Sequence, residues 1–233
     1  MLRKDLIQKS PVTQILGDEY LQQGKFGAVI SRAGVGKTQF LVQIAISMLL
    51  ESKKVIHISL DDPIDKINVR YKEGYTNLID NVGYIDPQKA ARLWEDLAPC
   101  KFGITCHENT FSPKNIRDYL MSLKKNALEM PALIVVDGLD FDVDCSVVLS
   151  VLSELASEFS VAIWFSMKSH REEPFTERGF PIQLDRVEER FQKALYLQPK
   201  EDKIEVVILK DGAKMNERHL IEPATMMLVS NIA

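Results

Sequence analysis

The residues with the most evident chemical use are Ser31 to Thr38, reading SRAGVGKT. They stand between a short apolar run, Phe26-Gly27-Ala28-Val29-Ile30, and an amphipathic run from Thr38 to about Ser52. A strand, a glycine-bearing loop ending in Gly-Lys-Thr, then a helix is the build of a P-loop, or Walker A motif. Gly34 and Gly36 let the backbone turn tightly and bring N–H groups against phosphate oxygens. Lys37 supplies a cation for β- and γ-phosphates, and Thr38 a hydroxyl for Mg²⁺. The positive end of the helix that follows points at the same anion. Arg32, Ala33, Gly34, Val35, Gly36, Lys37, Thr38 and Gln39 are therefore the expected nucleotide contacts. The first glycine of the usual GxxxxGK[ST] pattern is Ser31 here, which changes the entry turn but not the cradle. The plainer reading is a chance Gly-Lys-Thr at a helix start. The flanking strand and helix argue against it.

Acids at strand ends are the natural complement, because ligands of an open α/β sheet sit at the carboxyl ends of its strands. Asp137 closes the continuous apolar run Ala132-Leu133-Ile134-Val135-Val136, as a buried parallel strand is expected to look. It is the candidate Walker B acid, holding Mg²⁺ directly or through water together with Thr38. Its ordinary alternative is a strand-end aspartate capping a turn with Gly138. Asp61 and Asp62 close the run KVIHISL. One of them can orient an attacking water, or cap the helix after Pro63. Asp140, Asp142 and Asp144 read as a solvated turn or a helix cap.

These residues need elements to hold them. Met1 to Lys25 reads as a lead-in, with Leu16, Tyr20 and Leu21 on one helix face. The helix after the P-loop carries Phe40, Leu41, Ile44, Ala45, Met48 and Leu49 at helical spacing, a core stripe. Strands are expected at Lys54–Leu60, Phe102–Cys106, Ala132–Asp137 and Val161–Ser166. A hairpin pair, Ala194–Gln198 and Lys203–Lys210, and a last strand, Thr225–Ser230, complete the set. A helix follows Pro63, and Gly74 to Pro87 reads as loop. Further helices are expected from about Gln88 to Leu97, from Pro113 to about Glu129 capped by Ser112, after Asp144 and Ser146, and over Asp185 to Lys193. Lys168 to Pro181 is polar and aperiodic, the pattern of a mobile loop. Without linker, low-complexity segment or repeat, residues 1–233 read as one domain, with 1–25 as its lead-in.

A chain of 233 residues, 45% hydrophobic and 27% charged, fits a globular class with a sizeable core. A net charge of −4 counts against an obligatory nucleic-acid surface, while a local basic patch stays open. Three cysteines, Cys100, Cys106 and Cys145, form a sparse and odd set, expected to be free thiols in a reducing compartment. Cys100, Cys106 and His107 match no zinc spacing. The start is too polar for a signal peptide, and no apolar run reaches membrane-spanning length, so cytoplasm and no membrane are expected.

Taken in order, the P-loop strand, HISLDD, ALIVVDGLDF, LASEFSVAIWFSMKSHRE and KIEVVILKDG resemble the RecA-like ATPase core, nearest its KaiC and DnaB-helicase branch. The resemblance runs from about Gly24 to Gly212. It implies a three-layer α/β P-loop NTPase whose mixed, mostly parallel sheet has eight strands flanked by helices. The implied spatial order is third, second, fourth, fifth, first, sixth, seventh, eighth. It implies ATP and Mg²⁺ as ligands, Lys37 as phosphate clamp, and Asp61 where that family carries its catalytic glutamate. Three departures accompany it. Asp61 is one methylene shorter than glutamate. Met167 stands at the polar sensor position. Lys210 matches the lysine of a Lys-x-Arg pair that reaches a neighbour's nucleotide, but Asp211-Gly212 follows without arginine, leaving Lys214 or Arg218 as substitutes. A missing arginine finger costs about three to five decades in rate. A second resemblance, ranked lower, is to the deviant KGGVGKT loop of MinD-like ATPases, with Arg32 at the signature-lysine place.

The expectation is thus an ATP hydrolase, slow or partner-stimulated, whose turnover drives assembly or a conformational change. The alternatives are a nucleotide-binding switch without hydrolysis and a DNA-associated RecA relative in recombination or replication, with Lys168, His170, Arg171 and Arg178 as the basic loop. Family precedent implies rings or filaments of the same chain, and the protein partner is unknown.

Overall fold

The computed structural model describes residues 2–17, 22–211 and 214–229. In chain order the elements are α1 (Leu2–Lys9), α2 (Pro11–Leu16), β1 (Phe26–Ser31), α3 (Lys37–Leu50), β2 (Lys54–Ser59), α4 (Ile64–Val82), α5 (Pro87–Leu97) and β3 (Lys101–Thr105). Then follow α6 (Pro113–Lys125), β4 (Pro131–Asp137), α7 (Ser146–Phe159), β5 (Ala162–Lys168), α8 (Ile182–Asp185), β6 (Phe191–Lys200), β7 (Lys203–Lys210) and β8 (Arg218–Ile221).

The strands form one eight-stranded sheet in the order β3-β2-β4-β5-β1-β6-β7-β8. This is the order that the RecA-like resemblance implies. Strands β3 to β6 along that order pair in parallel, and β6–β7 and β7–β8 are antiparallel. β5 lies between β1 and β4, so the P-loop strand and the Asp137 strand are one strand apart. Crossovers through helices leave both sheet faces covered, which is why β1, β4 and β5 read as apolar runs and not as alternating ones.

Strand alternation divides the core. Val29, Leu133, Val135, Ala162 and Trp164 pack with α1, α2, α3 and α4 on one face. Phe26, Ala28, Ile30, Ile134, Val136, Ile163 and Phe165 pack with α6 and α7 on the other. Gly27 is required where it stands: a Cβ there would lie 2.5 Å from the Trp164 ring, so the indole seats directly on the β1 backbone.

Several elements differ from the sequence expectation. Gly74 lies inside α4, where loop was expected. A Cβ at Gly74 would stand 3.0 Å from Ile46 Cδ1 and 3.3 Å from the Gln39 and Gln43 amides, so the missing side chain lets α4 approach α3. Helix α6 ends at Lys125, short of Glu129, and the Ser112 hydroxyl makes no cap bond. The Asp185–Lys193 helix is replaced by the short α8, a 3₁₀ turn at Glu188–Arg190, and β6 starting at Phe191. The last strand is Arg218–Ile221, antiparallel to β7, not Thr225–Ser230. Leu228 makes one isolated bridge to Ile221, and Ser230 lies outside the described residues. The lead-in is structural: Leu6, Val12, Ile15 and Leu16 are buried in the core. The expected face partners Tyr20 and Leu21 lie outside the described residues, as does Gly212. Cys100, Cys106 and Cys145 are free thiols. Among the described residues no helix is long and apolar enough to cross a membrane.

Candidate functional site

The loop after β1 is built by two left-handed glycines. Gly34 has φ 78° with open space where a Cβ would be, and Gly36 has φ 116° as the N-cap of α3. A Cβ at Gly36 would fall 2.1 Å from Met226 Cε, so both the backbone conformation and the packing demand glycine. Ser31, at the place of the missing first glycine, is buried and outside the left-handed region. Its hydroxyl donates to the Arg32 carbonyl at 2.9 Å, and its own carbonyl accepts from Ser169 N at 2.9 Å. The entry turn therefore closes without a glycine.

Lys37 opens α3 and folds back over the loop, its Nζ donating to the Ser31 and Arg32 carbonyls at 3.1 Å each. Burial lowers its pKa, opposed by Asp137 and Asp61 and reinforced by Lys168. A partly dehydrated ammonium held by weak carbonyl partners is available to a stronger anion. Gln39, one turn on, donates to the Arg70 carbonyl at 3.4 Å, linking the loop's helix to α4.

Asp137 ends β4 almost fully buried. Burial pushes its carboxyl up, but the facing polar groups of His57, Ser166 and Thr38 outweigh burial, and the net direction is downward. An ionised carboxylate and the Thr38 hydroxyl thus face one another. His57 is itself buried on β2, with Nδ1 3.1 Å from the Tyr71 hydroxyl. Its Nε2 stands 3.9 Å from Asp137 Oδ2, too far for a hydrogen bond, and has no partner. It shapes the field at Asp137 and does not cap it.

The choice between Asp61 and Asp62 is made by their surroundings. Asp62 is engaged with α4: its carboxylate accepts from Lys66 at 2.7 Å and from Arg70 at 3.1 Å. The N-cap of α4 is Pro63, with no side-chain cap bond, so neither acid fills the cap role. Asp61 has no hydrogen bond or ion pair among the described residues. It lies against Gly138, where a Cβ would be 2.7 Å from Asp61 Oδ2. Gly138, φ 100°, is thus the clearance that lets Asp61 approach the end of β4. Partial burial, then repulsion from Asp137 and Asp62, raises the Asp61 pKa against the pull of Lys168 and Lys37. Such a carboxylate is a better proton acceptor than a free one.

β5 brings two residues that the sequence did not single out for this site. Ser166 accepts a hydrogen bond from Gly138 N at 2.8 Å, fixing the turn after Asp137. Lys168 is in register with Ser31 at the strand's end. Met167 between them is fully buried on the opposite face of the sheet. Strand alternation was the available signal: Ser166 and Lys168 share the face that Asp137 uses, and Met167 does not.

Residues expected to act outside this cluster are engaged elsewhere. Lys210 Nζ donates to the Glu188 carboxylate and carbonyl. Arg218 pairs with Glu205 at 2.9 Å, and Lys214 donates to the Ile15 carbonyl at 3.4 Å. His170 bonds Asp142 at 2.6 Å, and Arg178 bonds Glu188 at 2.7 Å, so the loop after β5 presents no open basic stripe. Asp142 also accepts from Gln183 at 2.9 Å, so it anchors that loop and is more than a solvated turn residue. Asp144 does start α7, accepting from Ser146 N at 2.9 Å.

A cleft of about 500 Å³ opens beside the loop, between Gly34, Gln39 and Arg70 on one side and Pro223 and Met226 on the other. A hollow of about 560 Å³ on α6 is lined by that helix and Asn126, with none of the groups above near it.

The donor set fits Mg²⁺-nucleotide. Mg²⁺ is commonly held by one or two carboxylates, with water and phosphate oxygens completing its shell. Thr38 and Asp137 offer one hydroxyl and one ionised carboxylate, and the two left-handed glycines leave the backbone open to an anion.

Neither a protein-family model nor a curated protein sequence matches the chain. Among solved structures, the ATPase domain of a DnaB-family helicase is similar, with a TM-score of 0.66 and 16% identity over 95% of this chain and 90% of that one. The likeness is one of fold: a mixed, mostly parallel sheet flanked by helices, in the three-layer RecA-like P-loop NTPase architecture.

Proposed function

We propose that this chain binds Mg²⁺-ATP at the loop Arg32–Gln39 and hydrolyses it slowly or with a partner's help, driving assembly or a conformational change. The observation that carries the reading is the meeting of Lys37, Thr38, Asp137 and Asp61 at the carboxyl ends of β1, β4 and β2. Bound Mg²⁺ would neutralise charge on the phosphates and tether them to Thr38 and Asp137. The amides of Arg32, Ala33, Gly34, Val35 and Gly36 cradle phosphate oxygens. Lys37 leaves the Ser31 and Arg32 carbonyls for a phosphate. Asp61, raised in pKa and unpaired, orients water and takes its proton.

The test is steady-state phosphate release by the wild type and Lys37→Ala with Mg²⁺-ATP. A fall of roughly 10²-fold or more is expected when a preorganised charge at the reacting phosphate is lost. Equal rates would refute catalysis by this site.

A second reading, a nucleotide-bound switch without turnover, has its own support. Met167 faces away from the site, and Lys210 is tied to Glu188 and not extended toward a neighbour. It predicts nucleotide binding without phosphate release, and brisk unassisted turnover would sink it. Binding of DNA is the least supported reading, because His170 and Arg178 are paired with carboxylates.

A further inference from the structure

We propose that Lys168 is a second phosphate-contacting cation, supplied in cis, which makes this site prefer nucleoside triphosphate over diphosphate. The inference rests on the Mg²⁺-ATP reading above and deepens it. The RecA-like resemblance places a polar sensor at Met167 and an arginine beyond Lys210, and this chain has neither. Lys168 occupies the space where such a charge would be needed.

Three observations place it there. β5 lies between β1 and β4, so its carboxyl end stands between the loop and Asp137. Lys168 is in register with Ser31, and Ser169 N bonds the Ser31 carbonyl at 2.9 Å, which fastens the end of β5 to the loop's first residue. Alternation puts Lys168 on the same face as Ser166, whose hydroxyl holds Gly138 N beside Asp137. Electrostatics agrees: Lys168 is felt by both Lys37 and Asp61, from opposite sides of the gap.

The contrast with the other cations nearby is informative. Lys193, Arg178, Lys210 and Arg218 each end on a carboxylate. Lys168 is exposed and has no hydrogen bond or ion pair among the described residues. A lysine beside a second ammonium, with no fixed anion of its own, is placed for an incoming one. Lys37 already serves the inner phosphates, and Lys168 lies on the Asp61 side, where the terminal phosphate and the water would meet.

The experiment is titration of the full chain with Mg²⁺-ATP and Mg²⁺-ADP by calorimetry, for wild type, Lys168→Met, Lys168→Gln, Lys168→Arg and Lys37→Ala. Lys168→Met and Lys168→Gln are expected to weaken ATP about tenfold, as loss of one charge-assisted contact does. ADP should change less than about twofold, and Lys168→Arg should keep most of the preference. The wild-type preference should persist on dilution of the protein. The proposal is overturned if both neutral variants keep the wild-type ATP/ADP ratio while Lys37→Ala loses affinity. It is also overturned if the preference vanishes on dilution, since the charge would then come from a neighbour. If wild type binds neither nucleotide, or Lys37→Ala binds as wild type does, the underlying nucleotide reading fails instead.

Discussion

At the scale of single residues, the division of labour between adjacent acids is the main result. Asp62 is occupied by Lys66 and Arg70, and Asp61 is left to the site. The raised pKa of Asp61 has a consequence for stability, with a definite sign. Its ionised form is disfavoured by folding, so its contribution is fully present in acid and is lost as pH rises through the shifted value. Asp61→Asn is therefore expected to raise the thermal midpoint at pH 7, with the gain vanishing below about pH 4, where an ordinary aspartate is protonated. The same variant should slow phosphate release by about 10²–10⁴-fold, the usual worth of a general base. Thermal scans across pH together with turnover check both. A variant less stable at pH 7 would mean that Asp61 is not crowded by Asp137 and Asp62. This opposition of stability and activity is the pattern of a functional carboxylate.

At the scale of elements, the junction of β1, its loop and α3 depends on Gly36, and Gly36 depends on Met226. The segment after β8 turns so that Met226 N bonds the Glu222 carbonyl at 2.7 Å and the Met226 side chain lies on the loop. Gly36→Ala faces two costs, a left-handed backbone of about 1–3 kcal/mol and a clash with Met226 Cε. Met226→Ala removes the second and not the first. The double variant is expected to lose less stability than the sum of the singles, by about 0.5–3 kcal/mol in a double-mutant cycle. Strict additivity in denaturant unfolding would place Met226 elsewhere. A similar dependence holds for β1 and β5, because Trp164 lies on Gly27. Trp164→Ala is expected to cost about 3–5 kcal/mol, the range for a buried aromatic.

At the scale of the whole molecule, the site draws on four strand ends and the turn after β8. A ligand bound there should stabilise the whole sheet. With Mg²⁺-ATP at a hundred times its Kd, unfolding should become harder by about 2.7 kcal/mol. Lys37→Ala should abolish most of that gain, and differential scanning calorimetry with and without nucleotide reads it. Stabilisation by nucleotide without Mg²⁺ to the same extent would argue that Thr38 and Asp137 hold no metal.

The local signals in the chain were enough for the P-loop, the seven leading strands and the acids at their ends. Each of these is written in contiguous residues: glycines that permit a turn, an apolar run, an acid closing it. The spatial order of the strands came from the resemblance, not from periodicity. What the chain's local pattern left open depended on which residues meet across the sheet. Gly74 reads as a break until α3 is seen against it, since helix propensity is local and helix packing is not. Asp61 and Asp62 are neighbours in sequence, and only Gly138 on one side and Lys66 with Arg70 on the other tell them apart. Lys168 reads as part of a polar loop, and becomes part of the site only because β5 is threaded between β1 and β4. Short-range sterics and hydrophobicity determine elements, whereas the field at a buried carboxylate is a sum over charges that tertiary folding alone brings close.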